Sequence, residues 1–272
     1  MNNITIEYDS LYWLSSLSPK EEGLSRRCTE DIFPLFPSKK FYKIENKIDF
    51  EDAFSCIEEN INKGKKPLLH IDMHGSEESG LSSYTGEEFS WDLVESQLSQ
   101  LNKLMNNQLL CISCACQGAA IIGELRIDRP CPYRMLIAPR EKISSGYLET
   151  NLLKFYRKLT DTLSIDQAFE QIKDQFSLFT AEDIAFLIFK RYIKNQLKNQ
   201  KNNANEVWHH LGIERLKDFP ENRPEIRKLA KALSDPNSDF NKNILLKNMS
   251  VFMHNDVTYS KHLLDEIMDE IK

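Results

Sequence analysis

Three cysteines, Cys111, Cys114 and Cys116, stand within six residues of one another, and the pair His74-Gly75 closes an apolar run 42 residues before the last of them. A thiolate is a strong nucleophile, an imidazole carries protons near neutral pH, and a glycine lets a substrate carbonyl come close to the backbone. Those are the groups that acyl transfer through a thioester requires. A second grouping competes for the same stretch. His70, Asp72 and His74 alternate, so on a strand all three project from one face, and His and carboxylate ligate zinc, with the cysteines as further donors. The alternative chemistry is therefore a metal-dependent hydrolase using His70, Asp72 and His74. Zinc ligands usually come in pairs from turns or helices, however, and His70 lies mid-strand among Leu68, Leu69 and Ile71. A partly buried His70, hydrogen-bonded to a neighbour, is the expectation.

These groups act together only if the chain brings them together. Residues 67–73 read as a buried strand ending at His74-Gly75, residues 109–115 as another ending at Cys116, and residues 134–138 as a third. Further strands fit 4–8 and 41–44, and a short hairpin fits 80–83 with 87–89. Phe50, Ala53, Phe54, Ile57 and Ile61 recur at helical spacing between an N-cap at Asp49 and a stop at Gly64, and Trp91, Val94, Leu98, Leu101 and Met105 trace a second helix. Helices are also expected at 118–125, 148–159 and 164–176. Strands and helices alternating at these lengths predict a mostly parallel sheet covered on both faces. Functional groups collect at the carboxyl ends of such strands. If the two strands are neighbours, His74 and Cys116 face each other. The helix expected after Cys116 would favour a thiolate and an oxyanion at its first N–H groups. Period two puts Cys114 on the same face as Cys116, and Cys111 on the other.

Beyond residue 178 no strand is expected. Thr180 opens a long helix, 198–205 is polar loop, and helices follow at 226–233, 240–252 and 261–271. The organisation predicted is an α/β domain over 1–178 and a helical region over 179–272. With 35 basic and 41 acidic side chains among 272 residues, the formal charge of −6 argues against nucleic-acid binding through overall charge. The apolar run at 184–189 is too short to span a membrane, and the first residues lack the basic and apolar regions of a secretory signal. Six unevenly spaced cysteines do not make a disulfide framework and point to a reducing, cytoplasmic setting.

The residues around the third cysteine also carry a family resemblance. Cys114-Ala115-Cys116-Gln117-Gly118 resembles the pentapeptide Q-A-C-[RQG]-G around the caspase nucleophile and departs from it only at Cys114. Ile112-Ser113 is similar to the aliphatic-Ser lead-in of the bacterial CHAT branch of that fold, and His74-Gly75 is similar to its His-Gly in order and spacing. Met135-Leu136-Ile137-Ala138, then Phe155-Tyr156-Arg157-Lys158-Leu159, then Ile165-Asp166-Gln167-Ala168, resemble the closing strand, F-Y-x-x-L helix and x-x-E-A helix of the CHAT pattern. The resemblance covers roughly residues 40–176.

It implies a caspase-like three-layer α/β sandwich with a C-terminal helical region, acting as a cysteine endopeptidase on a protein substrate, with no metal or other cofactor. Cys116 is then the nucleophile, His74 the proton shuttle, and the backbone N–H groups of Gly75 and Cys116 the oxyanion hole. The Asp that metacaspases and paracaspases carry two residues before the nucleophile is Cys114 here, so their preference for a basic P1 residue does not carry over. An enzyme of this kind in the cytoplasm is expected to stay inactive until a partner or a cleavage orders the loops at 76–90 and 139–146. The helical region offers a surface for an activating or inhibitory protein, and the bacterial relatives imply stress signalling or antiviral defence. A caspase-like domain serving only as an interaction scaffold is the remaining alternative.

Overall fold

The computed structural model describes residues 7–126, 128–198, 235 and 238–271, which form two compact units: 7–126 with 131–181, and 128–130 with 182–271. The first unit is α/β. Its strands are β1 (Ser10–Ser16), β2 (Ser38–Lys43), β3 (Pro67–Ser76), β4 (Gly80–Ser82), β5 (Glu88–Phe89), β6 (Leu110–Ser113), β7 (Met135–Ala138) and β8 (Ser177–Thr180). Its helices are α1 (Glu22–Ile32), α2 (Lys47–Asn62), α3 (Trp91–Leu104), α4 (Ser145–Thr162) and α5 (Ile165–Phe169).

The central sheet runs β2-β1-β3-β6-β7-β8; all neighbours are parallel except β7 and β8, and β4-β5 forms an antiparallel ribbon continuing from the end of β3. The chain moves one way from β1 to β2 and the other way from β2 to β3 and from β3 to β6. Right-handed crossovers therefore put α1 on one face and α2 and α3 on the other. Trp13, Ile112, Cys114 and Ile137 accordingly share one core with Cys28 and Ile32 of α1 and with Leu152, Phe155 and Tyr156 of α4. The alternate strand residues Tyr12, Leu14, Leu69, Ile71 and Cys111 point to the opposite face and are buried as well. The reversal of direction between β1 and β3 opens a crevice at the carboxyl ends of those strands, where parallel sheets bind ligands.

Several local expectations need correction. The first strand of the sheet is not 4–8: Tyr8 is outside any strand, residues 4–6 lie outside the described residues, and the strand is Ser10–Ser16. That strand is paired on both sides and buried at all seven positions, so no polar-apolar alternation marks it. The cap of α2 is Asn46, whose side chain accepts from the Asp49 N–H at 3.1 Å, while Asp49 accepts from the Glu45 N–H at 3.0 Å. After Phe169 the expected helix tightens into i→i+3 turns at Gln171, Ile172 and Gln175, which bury Ile172 and Phe176. Strands do not end before 178, because β8 pairs antiparallel with β7 from Ser177 to Thr180.

The second unit contains α6 (Ala181–Lys198), α7 (Asp239–Phe252) and α8 (Val257–Ile271), with α7 packed on α8 and Phe189 edge-on to Phe252 at 6.3 Å. The helix expected at 226–233 lies outside the described residues. Among the described residues, no helix is long and apolar enough to cross a membrane.

Candidate active site

β3 and β6 are neighbours, paired with His70 opposite Ile112 and Ile71 opposite Ser113. That offset of 42 residues is the one that separates His74 from Cys116, so the two follow in register just beyond the last paired residues. The Cys114 N–H still donates to the Ile71 carbonyl at 2.7 Å, which carries the β3–β6 contact to the edge of the site. Beyond it the backbones meet. A Cβ built on Gly75 would lie 2.7 Å from the Cys116 carbonyl oxygen, so only glycine permits this approach.

Both side chains enter one cleft of about 450 Å³, whose walls also include Leu17, Glu21, Asp72, Cys114 and Ile143. The His74 ring is half exposed, and its Nε2 lies 3.3 Å from Oε2 of Glu21. Glu21 is held by the turn between β1 and α1: the same oxygen accepts from the Ser18 hydroxyl at 2.6 Å and from the Ser18 N–H at 3.2 Å. The Ser18 hydroxyl foremost, and His74 as well, hold the Glu21 carboxyl below the usual carboxylate range. An ionised carboxylate only accepts, so Nε2 carries the hydrogen that faces Glu21. Cys116 is half-buried, and its Sγ lies 4.0 Å from the carbonyl oxygen of Ile143. No hydrogen bond joins His74 to Cys116.

The helix expected to begin at Cys116 is instead a 3₁₀ helix, Gly118–Glu124, preceded by Gln117 in the left-handed region at φ 57°. Its seven residues form too short and too irregular a turn to act on the thiol through a dipole. A Cβ on Gly118 would meet Ser113 Oγ at 2.8 Å, so glycine lets this turn fold back onto β6. Gln117 ties three loops together: its N–H donates to the Glu141 carbonyl, and its Oε1 accepts from the Glu77 N–H, each at 3.2 Å. Arg140 is drawn away from the cleft, to Ser177 Oγ at 3.0 Å and over the Phe179 ring at 5.0 Å.

Behind the two strand ends lies a buried polar layer. His70 is fully buried, stacked on Trp13 with ring centroids 3.5 Å apart, and its Nδ1 is 2.7 Å from the Tyr156 hydroxyl. Burial pushes its pKa down to about 3, so it is neutral at ordinary pH. Asp72, 7% exposed, lines the cleft, and burial raises its carboxyl to about 6. The Ser25 hydroxyl and the Trp13 indole N–H lower it in part; the indole makes no hydrogen bond of normal geometry and acts only by proximity. Although His70, Asp72 and His74 share a face, no group of three or more His, Cys, Asp or Glu among the described residues is arranged to hold a metal ion.

Burial also sorts the cysteines. It pushes the Cys28 and Cys111 thiols up to about 12 and Cys114 well above the ordinary thiol value. Cys114 shares the cleft wall with Cys116, as strand alternation predicts. Glu21 was not among the residues singled out from sequence, because the strand before it was placed too early. The run Leu11-Tyr12-Trp13-Leu14 followed by Ser18-Pro19-Lys20-Glu21 is the signal that finds it: a buried strand running into a helix start. In comparisons with known proteins, neither any family model nor any curated protein matches the chain.

Proposed function

We propose that the chain is a cysteine endopeptidase of the caspase-like kind, its α/β unit a three-layer sandwich of that fold. The observation that carries the reading is the convergence of His74-Gly75 and Cys116, at adjacent strand ends and in register, on one cleft. The Cys116 thiol passes its proton to His74, and the thiolate adds to the scissile carbonyl carbon. The N–H groups of Gly75 and Cys116 hold the oxyanion. The C–N bond breaks as the imidazolium gives its proton to the leaving amine, which leaves a thioester on Cys116. Water then attacks the thioester, His74 takes its proton and returns it to the departing sulfur, and a carboxylic acid is released. Glu21 orients the ring throughout.

No hydrogen bond joins His74 to Cys116, and this fits an enzyme held at rest. Gln117 links the loop after His74 to the loop at 139–146, so a partner that reorders either loop acts on the nucleophile. The helical unit is the surface proposed for that partner, and triggered cleavage in bacterial defence or stress signalling, in the cytoplasm, is the proposed setting. The test compares wild type with Cys116→Ala for cleavage of candidate protein partners. Cleavage by wild type alone is expected, whereas cleavage that survives the substitution removes Cys116 from the mechanism.

A further inference from the structure

The cleft contains a charge that the mechanism does not use. Asp72 lies on β3 two residues before His74, on the same face, and the β3–β6 offset places it opposite Cys114. It is thus about 7 Å back from the reacting groups along the strand, roughly the distance that a long side chain reaches from a backbone held at Cys116. It is more than nine-tenths buried, and it lines the cleft. The groups that favour its ionised form are the Ser25 hydroxyl, the Trp13 indole and, more weakly, His74, which is itself held by Glu21; no salt bridge to Asp72 forms among the described residues. Of the cations in the cleft wall, Arg27 is committed to Glu149 at 2.5 Å, and Lys20 is exposed at the rim.

A buried carboxylate with no cation beside it is costly, and most such groups acquire a counter-charge. The cleft is the open side of Asp72 among the described residues, and it is the route by which a counter-charge can reach it. Glu21, the other carboxylate close by, is already occupied by Ser18 and His74. Neutral polar side chains have little to gain from Asp72, and an acidic one is repelled.

We infer that Asp72 is the floor of the substrate pocket and selects a lysine or arginine side chain at the residue whose carbonyl is attacked. The inference rests on the cysteine-peptidase reading and gives that reading its substrate class. The burial that raises the Asp72 carboxyl to about 6 is the same burial that excludes water from the ion pair formed with a substrate. Ionisation, unfavourable in the empty cleft, becomes favourable when a cation enters.

The experiment uses the full chain and three peptidyl acyloxymethyl ketones that differ only at P1: lysine, norleucine and aspartate. In each, the Cys116 sulfur displaces the carboxylate leaving group to form a thioether, which peptide mass spectrometry locates. The lysine probe is expected to label Cys116 at least about tenfold faster than norleucine, with aspartate slowest. Asp72→Asn collapses the lysine-to-norleucine ratio toward one, and Asp72→Glu, which keeps the charge, retains the preference. Fastest labelling of Cys116 by norleucine or aspartate overturns the Asp72 inference and leaves the peptidase reading standing. So does a lysine preference that Asp72→Asn does not change. The resting site still reacts slowly with a small irreversible probe, so failure of all three to label Cys116 in wild type even on prolonged exposure overturns both.

Discussion

Gly75 and Cys116 meet backbone to backbone, so closely that a Cβ on Gly75 would stand 2.7 Å from the Cys116 carbonyl oxygen. The contact lies between backbones, which cannot rotate away as a flexible side chain can. Gly75→Ala must therefore part the ends of β3 and β6. We expect a loss of about 1–3 kcal/mol in stability, measured by denaturant unfolding, and a fall of at least tenfold in Cys116 labelling. Unchanged labelling in a folded Gly75→Ala protein would show that the spacing of these strand ends does not matter to the site.

Asp72 makes stability depend on pH in a definite direction. Its carboxyl is raised from an ordinary 3.8 to about 6, so its contribution is fully present below pH 3.8 and is lost as the pH rises through 6. Ionising it costs the fold on the order of 3 kcal/mol at neutral pH. Asp72→Asn should melt at a higher temperature than wild type at pH 7–8, with the gain shrinking as the pH falls to 4. A difference in melting temperature that is constant across that range is incompatible with the assignment. The same substitution is expected to remove the lysine preference, so stability and selectivity oppose each other at this residue.

His70 acts with the opposite sign. Its pKa falls from 6.5 to about 3 in the fold, so the stability of the neutral buried ring is complete above 6.5 and is lost as the pH drops toward 3. Protonation of Asp72 acts with the opposite sign over the same range, so the comparison is made in an Asp72→Asn background, which should lose stability steadily below pH 6.5. His70→Gln, which keeps a polar group near Tyr156, should show a flatter profile over the same range. Denaturant midpoints measured from pH 7 to 4 test this, and parallel profiles would refute it.

Tyr156→Phe leaves His70 Nδ1 without its 2.7 Å partner inside the core. The expected cost is about 1–3 kcal/mol. Thermal or denaturant melting at pH 7.5 measures it, and a cost near zero would mean that the hydrogen bond is not maintained in solution.

Gln117 separates backbone strain from tethering. Its left-handed conformation is costly for any residue with a side chain, and its amide holds the loop that follows His74. Gln117→Gly relieves the backbone and Gln117→Ala does not, so the glycine variant should be more stable by about 1 kcal/mol. Both lose the bond to Glu77, and both should label Cys116 more slowly. Wild-type labelling rates in the two variants would show that the tether does not position the site.

Much of the site was legible because strand neighbours with one pairing offset translate sequence distance into space. His74 and Cys116 end two apolar runs, and the alternation of His70, Asp72 and His74 is a property of extended backbone alone. The helix at 118–125 was misread because small and apolar residues suit a helix equally well, whereas the close fit of Gly118 against Ser113 winds a tight 3₁₀ turn. β1 was missed because burial on both faces erases the alternation that reveals a strand.

The order of residue types by itself determined the alternation of strands and helices, the mostly parallel sheet, the strand end that carries His74-Gly75 and the grouping of three cysteines. Tertiary structure alone decided which groups meet: that Glu21 from the β1–α1 turn holds His74, that Tyr156 from α4 takes His70, and that the buried Asp72 lines the cleft. The physical reason is that periodicity is set by the local backbone, whereas burial and pairing depend on segments 53 or 86 residues apart, whose meeting only the packed sheet and its helices specify.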